Sequence, residues 1–546
     1  MKKSKRMLSL ILSLVLAATL SGCGSTKTPD AGSQGNQSNT VSGAGESSGA
    51  GTENQGAETT IRIAFPEEPA TMDTMLNTVD NAVRLGQQIF ECLYVYDENM
   101  NLQPMLVESD EISDDGLTAV MHLRQGVKFH NGKEMTSADV KASLDRWIAN
   151  GVRASLIRDY VDEVTADDDY TVSIKFNKPY GPWKNIFAFY CGCCYIVPSE
   201  IAEAAGTEAL NEEQYIGTGP YRFVEHQDGN AYFMEKFADY SARSEAASGP
   251  AGKREAIADK LCFYVVKDVN TRTTGLKAGD YDYAYMLSGD MFGSLSKESN
   301  LVTTVNAGAM NGVVFINNTA GILADNYPLR HALQTAISSE DVLMAAMGAE
   351  ELYSLCPEIY PEGFFYHSGR ECPDYNQGNA EKAAQMAKDA GYNGETITFY
   401  VNTNYQNYVN MCTVIIEQLK QAGFNIDAQY LEGATMMAQR KDPENWDLFF
   451  THMSMNPLPL VYDVMNTSYA GWWTTPERNA LFDSFVAEMD DNARKEIWGD
   501  IQELIYTQLP IMDIGHFFDY DVYTSRLNGL PEHVNIYPYF WGVEVQ

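Results

Sequence analysis

Basic residues are scarce in this 546-residue sequence: 38 Lys and Arg stand against 74 Asp and Glu, a net charge of -36. Such an excess of negative charge argues against nucleic acid as a partner and against docking on anionic lipid headgroups. Cysteine is sparse too, with nine in all, so no disulfide framework holds the chain together. Beyond the first residues no apolar run reaches the roughly 18 residues that cross a bilayer. There is no H-E-x-x-H helix and no G-x-x-x-x-G-K-[ST] phosphate loop. Gly45-Glu46-Ser47-Ser48-Gly49 matches G-x-S-x-G in letters. It has no strand before it and no helix after it, so it cannot form a nucleophile elbow. No internal repeat is found at solenoid periods. These absences point to a non-enzyme with no catalytic residues, no cofactor and no resident metal.

What is present begins at the N-terminus. Lys2, Lys3, Lys5 and Arg6 precede an apolar run that ends at Leu20-Ser21-Gly22-Cys23. The run is short for a membrane span and suits a signal peptide. The tetrapeptide resembles a bacterial lipobox, which implies that Cys23 carries lipid and becomes the mature N-terminus. Two acyl chains hold a domain on a membrane where one barely does. Residues 24–58 are Gly, Ser, Asn, Gln, Thr and Ala with a few charges, one Val and no aromatic residue. Such a segment cannot bury enough apolar surface to offset its ordering entropy and is expected to be a flexible tether.

The remaining roughly 490 residues exceed one small core and predict two or three lobes. Ile61, Ile63 and Phe65 alternate as a strand does. Val127 and Phe129 lead to an Asn131-Gly132 turn. Thr136 and Asp139 have capping-box spacing, and Val140, Leu144, Trp147 and Ile148 form one helix face ended by Asn150-Gly151. Later, "TITFYV", "NYVNMCTVIIEQLKQAG" and "FNIDAQYLE" read as a β-α-β unit with Phe424, Ile426, Ala428 and Tyr430 alternating. "FYCGCCYIVPSE" holds Cys191, Cys193 and Cys194, read as a buried strand using cysteine as a small hydrophobe. Cys356 and Cys372 bracket a loop that a disulfide could close in an exported protein.

Four segments together resemble the bacterial extracellular solute-binding proteins of family 5, receptors of ABC importers for oligopeptides, dipeptides or nickel. They are residues 102–147, with the core G-V-K-F-H-N-G-K-E-M-T-S-A-D-V; "GTGPYRF", 217–223; "NYPLRHALQTAIS", 326–338; and "YNQGNAEKAAQMAKDAGY" with the β-α-β that follows. The resemblance implies an α/β, two-lobed, periplasmic-binding-protein-like fold (type II, class C) with an additional smaller domain. It implies a signal peptide at 1–22, an anchored tether at 23–58, a discontinuous lobe I at 59–97, 213–315 and 511–546, the additional domain at 98–212, and lobe II at 316–510. The signature then lies in the additional domain and identifies fold rather than ligand; His122 and His130 within it are read as structural.

The function implied is a monomeric, extracytoplasmic receptor, tethered to the membrane through Cys23, that delivers a small solute, a peptide first of all, to ABC permease subunits. A surface sensor or structural lipoprotein is the alternative, as is a receptor for a metal chelate or a sugar-like or cationic solute. Loops at strand ends supply the candidate ligand residues: Asn77, Asn402, Asn404, Tyr405, His452 and Asn456, with Trp472 and Trp473 as aromatic walls. Peptide-binding relatives usually carry an aspartate for the ligand's ammonium in the segment matching "THMSMNPLPL". Residues 452–456 hold no acid. A buried ammonium without a partner is costly, so either another acid in the cleft supplies the charge or, the favoured reading, the ligand does not bury a free N-terminal amine there.

Overall fold

The computed structural model describes residues 58–189, 191–306, 310–530 and 537–546. Cys23, the signal segment and the tether lie outside them. The fold is two-lobed, and each lobe is organised on one mixed sheet. In the first sheet Thr60–Phe65 is central, running parallel to Lys260–Val265 and to Tyr283–Ala284. Ile61, Ile63, Ala64 and Phe65 are all buried, as a strand covered on both faces requires. Ala231–Lys236, Tyr221–Gln227, Tyr520–Thr524 and Leu301–Val305 complete its seven strands.

The second sheet has six strands, with Met310–Ile316 between Ile511–Phe517 and Leu448–Ser454. The β-α-β unit sits at its edge: Thr396–Asn402 and Asn425–Leu431 pair in parallel across the helix Gln406–Gln421. Gly423, at φ 87°, turns the chain back as a left-handed helix stop does. The expected alternation holds at Phe424 and Ile426, which are buried, but Tyr430 is 51% exposed. Asn425–Leu431 is the last strand of the sheet, and cover runs out toward its end.

The first sheet's strand Leu301–Val305 precedes the second sheet's Met310–Ile316, and the chain returns at Phe518–Asp519. Sequence reading put these joints near 315 and 510. Both Met310–Ile316 and Ile511–Phe517 instead belong to the second sheet. Ile511–Phe517 is buried at every position, Asp513 and His516 included, so its sequence does not mark the joint.

A separate four-stranded antiparallel sheet, Val107–Ile112, Thr118–Leu123, Thr171–Phe176 and Val161–Asp168, packs with the helix Ser137–Asn150. Its capping box is formed, the Asp139 carboxylate accepting the Thr136 N–H at 2.9 Å. Val140, Leu144 and Trp147 are fully buried. His130 joins two of the recognised segments: Gly217 N–H donates to Nδ1 at 3.2 Å, and Nε2 lies 3.0 Å from the Gly219 carbonyl. Gly217 is needed there, since a Cβ would stand 2.2 Å from the Ile89 carbonyl oxygen. This additional domain also touches lobe II, the Gly181 N–H donating to the Val486 carbonyl at 2.8 Å.

Residues 191–194 are irregular rather than a strand. Gly192, at φ 67°, breaks the extended run; Cys193 and Cys194 are buried and Cys191 is half-buried. The bridge considered between Cys356 and Cys372 is not formed, and both are free thiols. Burial pushes them up to about 11 and about 12, which keeps them protonated and poorly nucleophilic.

Candidate functional site

A cavity of about 170 Å³ opens at the end of the strand Leu448–Ser454. Its walls come from three parts of the fold. Arg153 and Cys191 belong to the additional domain, residues 452–456 and 461–463 to lobe II, and Tyr537 to the C-terminal segment. The strand ends where Pro457 and Pro459 prevent further ladder bonding, and Asn456 organises the turn. Its Oδ1 accepts the Leu458 N–H at 3.2 Å, and its own N–H donates to the Tyr462 hydroxyl at 3.0 Å. Its carbonyl accepts the Tyr360 hydroxyl at 2.6 Å.

His452 pairs through Nδ1 with the Tyr408 hydroxyl and lies edge-on to Phe517. Burial lowers its pKa, with only the nearby charge of Asp80 opposing, so the imidazole is neutral at pH 7. Asp463 shows the opposite shift from the same cause. Burial raises its carboxyl, against a hydrogen bond from Tyr469 and the charges of Arg440 and Arg153. The Tyr537 hydroxyl donates to Asp80 at 2.8 Å. The cavity thus combines one cation, one carboxylate, a neutral imidazole and an amide.

Of the loop residues proposed from sequence, His452 and Asn456 line this cavity. The others serve their own loops. Asn77 donates to the Asp73 carbonyl at 2.9 Å and accepts the Val79 N–H at 3.0 Å. Asn402 accepts the Asn404 N–H, and Asn404 accepts the Gly433 N–H, each at 3.0 Å, which ties the ends of two parallel strands together. Tyr405 is 53% exposed and leans on Tyr408, ring centres 4.9 Å apart. Trp473 is buried, its indole N–H donating to Gln508 at 2.7 Å, and so is committed to the interior. Trp472 is half-buried at φ 45°, 5.8 Å from Trp446. A left-handed residue between Gly471 and Trp473 is what lets the two indoles diverge.

Sequence reasoning missed Arg153, Cys191, Asp463 and Tyr537. Only Asp463 left a usable signal, an acid just beyond the stretch searched for one. A cluster of metal-ligand types does exist among the described residues, Glu68, His226 and Asp228. None of them lines the cavity. His226 there is held between Glu68 at 2.5 Å and Glu212 at 2.7 Å.

The family described as bacterial extracellular solute-binding proteins, family 5, middle, matches residues 101–475. The chain is 24% identical to the oligopeptide-binding protein AppA of Bacillus subtilis, over 99% of this chain and 97% of AppA. It is also 24% identical to a probable peptide ABC transporter periplasmic-binding protein of Sinorhizobium fredii, over 87% of this chain and 91% of that one. Among solved structures, the ABC transporter substrate-binding protein CtaP of Listeria monocytogenes superposes with a TM-score of 0.77 at 21% identity, covering 89% of this chain and 99% of CtaP. AppA of Bacillus subtilis in complex with a nonapeptide gives a TM-score of 0.70 at 20% identity, over 90% of this chain and 99% of that one.

Proposed function

The chain belongs to the bacterial extracellular solute-binding proteins of family 5, binding proteins rather than enzymes, and on that premise we propose that it is the lipid-anchored receptor of an ABC importer. It captures a peptide between its lobes and hands it to the permease. The observation that carries this reading is the cavity whose walls come from the additional domain, lobe II and the C-terminal segment. A site shared among bodies that can move binds best when they close around the ligand. The peptides named for its relatives support the ligand class.

In this reading Cys23 bears the lipid, residues 24–58 form the leash, and the receptor works as a monomer outside the cytoplasmic membrane. The additional domain spans 98–212, and the lobes divide between the strands Leu301–Val305 and Met310–Ile316 and again at 518–519. Mass spectrometry of ligand released by denaturing the purified protein tests the ligand class; recovery of a non-peptide solute overturns it. Cys23→Ala, or globomycin treatment, should leave an unprocessed precursor. Stimulation of the reconstituted importer's ATPase by loaded protein separates transport from the alternative of a sensor or structural lipoprotein.

A further inference from the structure

Several buried arginines of this acidic chain are fully engaged. Arg146 pairs with Asp73 at 2.8 Å, Arg243 with Glu245 at 2.9 Å and Arg254 with Glu91 at 3.5 Å. Arg330 donates to the carbonyls of Leu323 and Gln508, each at 2.7 Å. Arg153 differs. It lines the ligand cavity and makes no ion pair among the described residues. Its Nε is buried without a hydrogen-bond partner, as are those of Arg84, Arg272 and Arg478, but each of those three also donates to an oxygen. Among the described residues the side-chain hydrogen bonding of Arg153 is a single long contact from Nη2 to the Cys191 sulfur, 3.9 Å. A guanidinium presents five donors in a fixed fork, and a buried donor left unpaired is destabilising.

The acid nearest in function does not fill the gap. Asp463 lines the same cavity and feels the charges of both Arg440 and Arg153, but it takes its hydrogen bond from the Tyr469 hydroxyl and forms no ion pair with Arg153. A second donor stands ready on the cavity wall. Asn456 has its side-chain oxygen committed to Leu458, while its N–H₂ group makes no bond among the described residues. The fork of an arginine matches a carboxylate, which can accept two parallel N–H bonds.

We propose that Arg153 is an anion anchor of the cavity and that the ligand seats a carboxylate against it, with the Asn456 amide as a supporting donor. This rests on the peptide-receptor reading and sharpens it: a carboxylate fixed in the cavity makes a peptide's C-terminus, or an acidic side chain, part of what is recognised.

The test is calorimetry on the whole chain with three probes: a tetrapeptide library without Asp or Glu, the same library amidated at its C-termini, and an amidated library containing Glu. Arg153→Gln and Arg153→Lys are compared with the parent, with melting temperatures as the check on folding. Expected is binding of the first library about tenfold or more tighter than its amidated twin, a gap that shrinks to within about twofold in Arg153→Gln and is partly restored in Arg153→Lys. Tight binding of the Glu library alone assigns the anchor to a side-chain carboxylate and supports the proposal if Arg153→Gln abolishes it. Equal binding of all three overturns the anchor and leaves the peptide reading intact. If no library binds, the peptide reading falls, and succinate becomes the probe. Succinate binding lost in Arg153→Gln then supports the anchor, and no binding overturns it. Should Arg153→Gln fail to fold, the acid-to-amide gap in Arg153→Lys decides, an unchanged gap overturning the proposal.

Discussion

His130 and Arg153 lie in the same additional domain, and their surroundings differ in kind. Both ring nitrogens of His130 are engaged by the backbone at Gly217 and Gly219. Among the described residues the guanidinium of Arg153 has one long contact, to sulfur. Around His130 the sequence is dense with pattern: a turn, a capping box, a helix face. Around Arg153 there is none, only a short 3-10 stretch after Gly151. A region whose hydrogen bonds close upon themselves holds the scaffold, and recurs as a motif because every member needs the others. A region that leaves donors open is where a ligand can complete the set.

The strongest way to break this comparison is at the scaffold. Trp147 is fully buried and its indole N–H donates to the Gly192 carbonyl at 2.9 Å. Trp147→Ala should cost about 3–5 kcal/mol of stability, read as a lower urea midpoint. Any folded fraction should keep its ligand affinity. An affinity loss without a stability loss would place the helix Ser137–Asn150 in the binding machinery instead.

A pH profile tests the same region. Burial lowers His130 to about 4 from its ordinary 6.5, with the charge of Arg222 adding to the effect and the bond to the Gly219 carbonyl opposing it. Between those values the unfolded chain binds a proton that the folded chain does not. The stability this supplies is whole above pH 6.5 and is lost as pH falls toward 4. His130→Gln should flatten that part of the profile, by up to about 3 kcal/mol between the ends. An unchanged slope would mean that His516, also lowered to about 4 by burial, carries it.

The contact between bodies gives a smaller effect. A Cβ on Gly181 would fall on the Glu488 carbonyl oxygen, 1.8 Å away, and 2.7 Å from Arg494 Nη1. Overpacking of this kind costs about 1–3 kcal/mol. Gly181→Ala should therefore separate the additional domain from lobe II, enlarge the radius of gyration in small-angle scattering, and weaken ligand binding without removing any group from the cavity. The parent should contract when ligand is added; no contraction at verified saturation would argue against closure.

Why some of this was legible in sequence follows from the same contrast. The helix Ser137–Asn150, the β-α-β unit and the central strand Thr60–Phe65 are each stabilised by local period and caps, so their letters suffice. The crossing at Phe518–Asp519 is set by which sheet a wholly buried strand joins, and composition does not record that. Asn402 and Asn404 stand in strand-end loops, as binding residues often do, yet strand-end backbone also needs partners, and here that need was met first. The cavity draws on residues hundreds of positions apart, from Arg153 to Tyr537. No window of sequence contains that neighbourhood.

The smallest expected effect concerns the other end of a peptide. Residues 452–456 hold no acid, and the carboxylate that does line the cavity, Asp463, already accepts from Tyr469 and faces Arg440 and Arg153. An incoming ammonium would gain one anion but meet two established cations, and at close range each such repulsion offsets much of the attraction. Free peptides and their N-acetylated twins should therefore bind within less than about tenfold, or about 1.4 kcal/mol, of each other. Paired calorimetric titrations measure the gap. If free peptides bind tenfold tighter or more, Asp463 is the acid to suspect, and Asp463→Asn should erase the difference. If that variant keeps the gap, the pairing acid is elsewhere in the cleft, with Asp80, whose charge reaches His452, the next to replace.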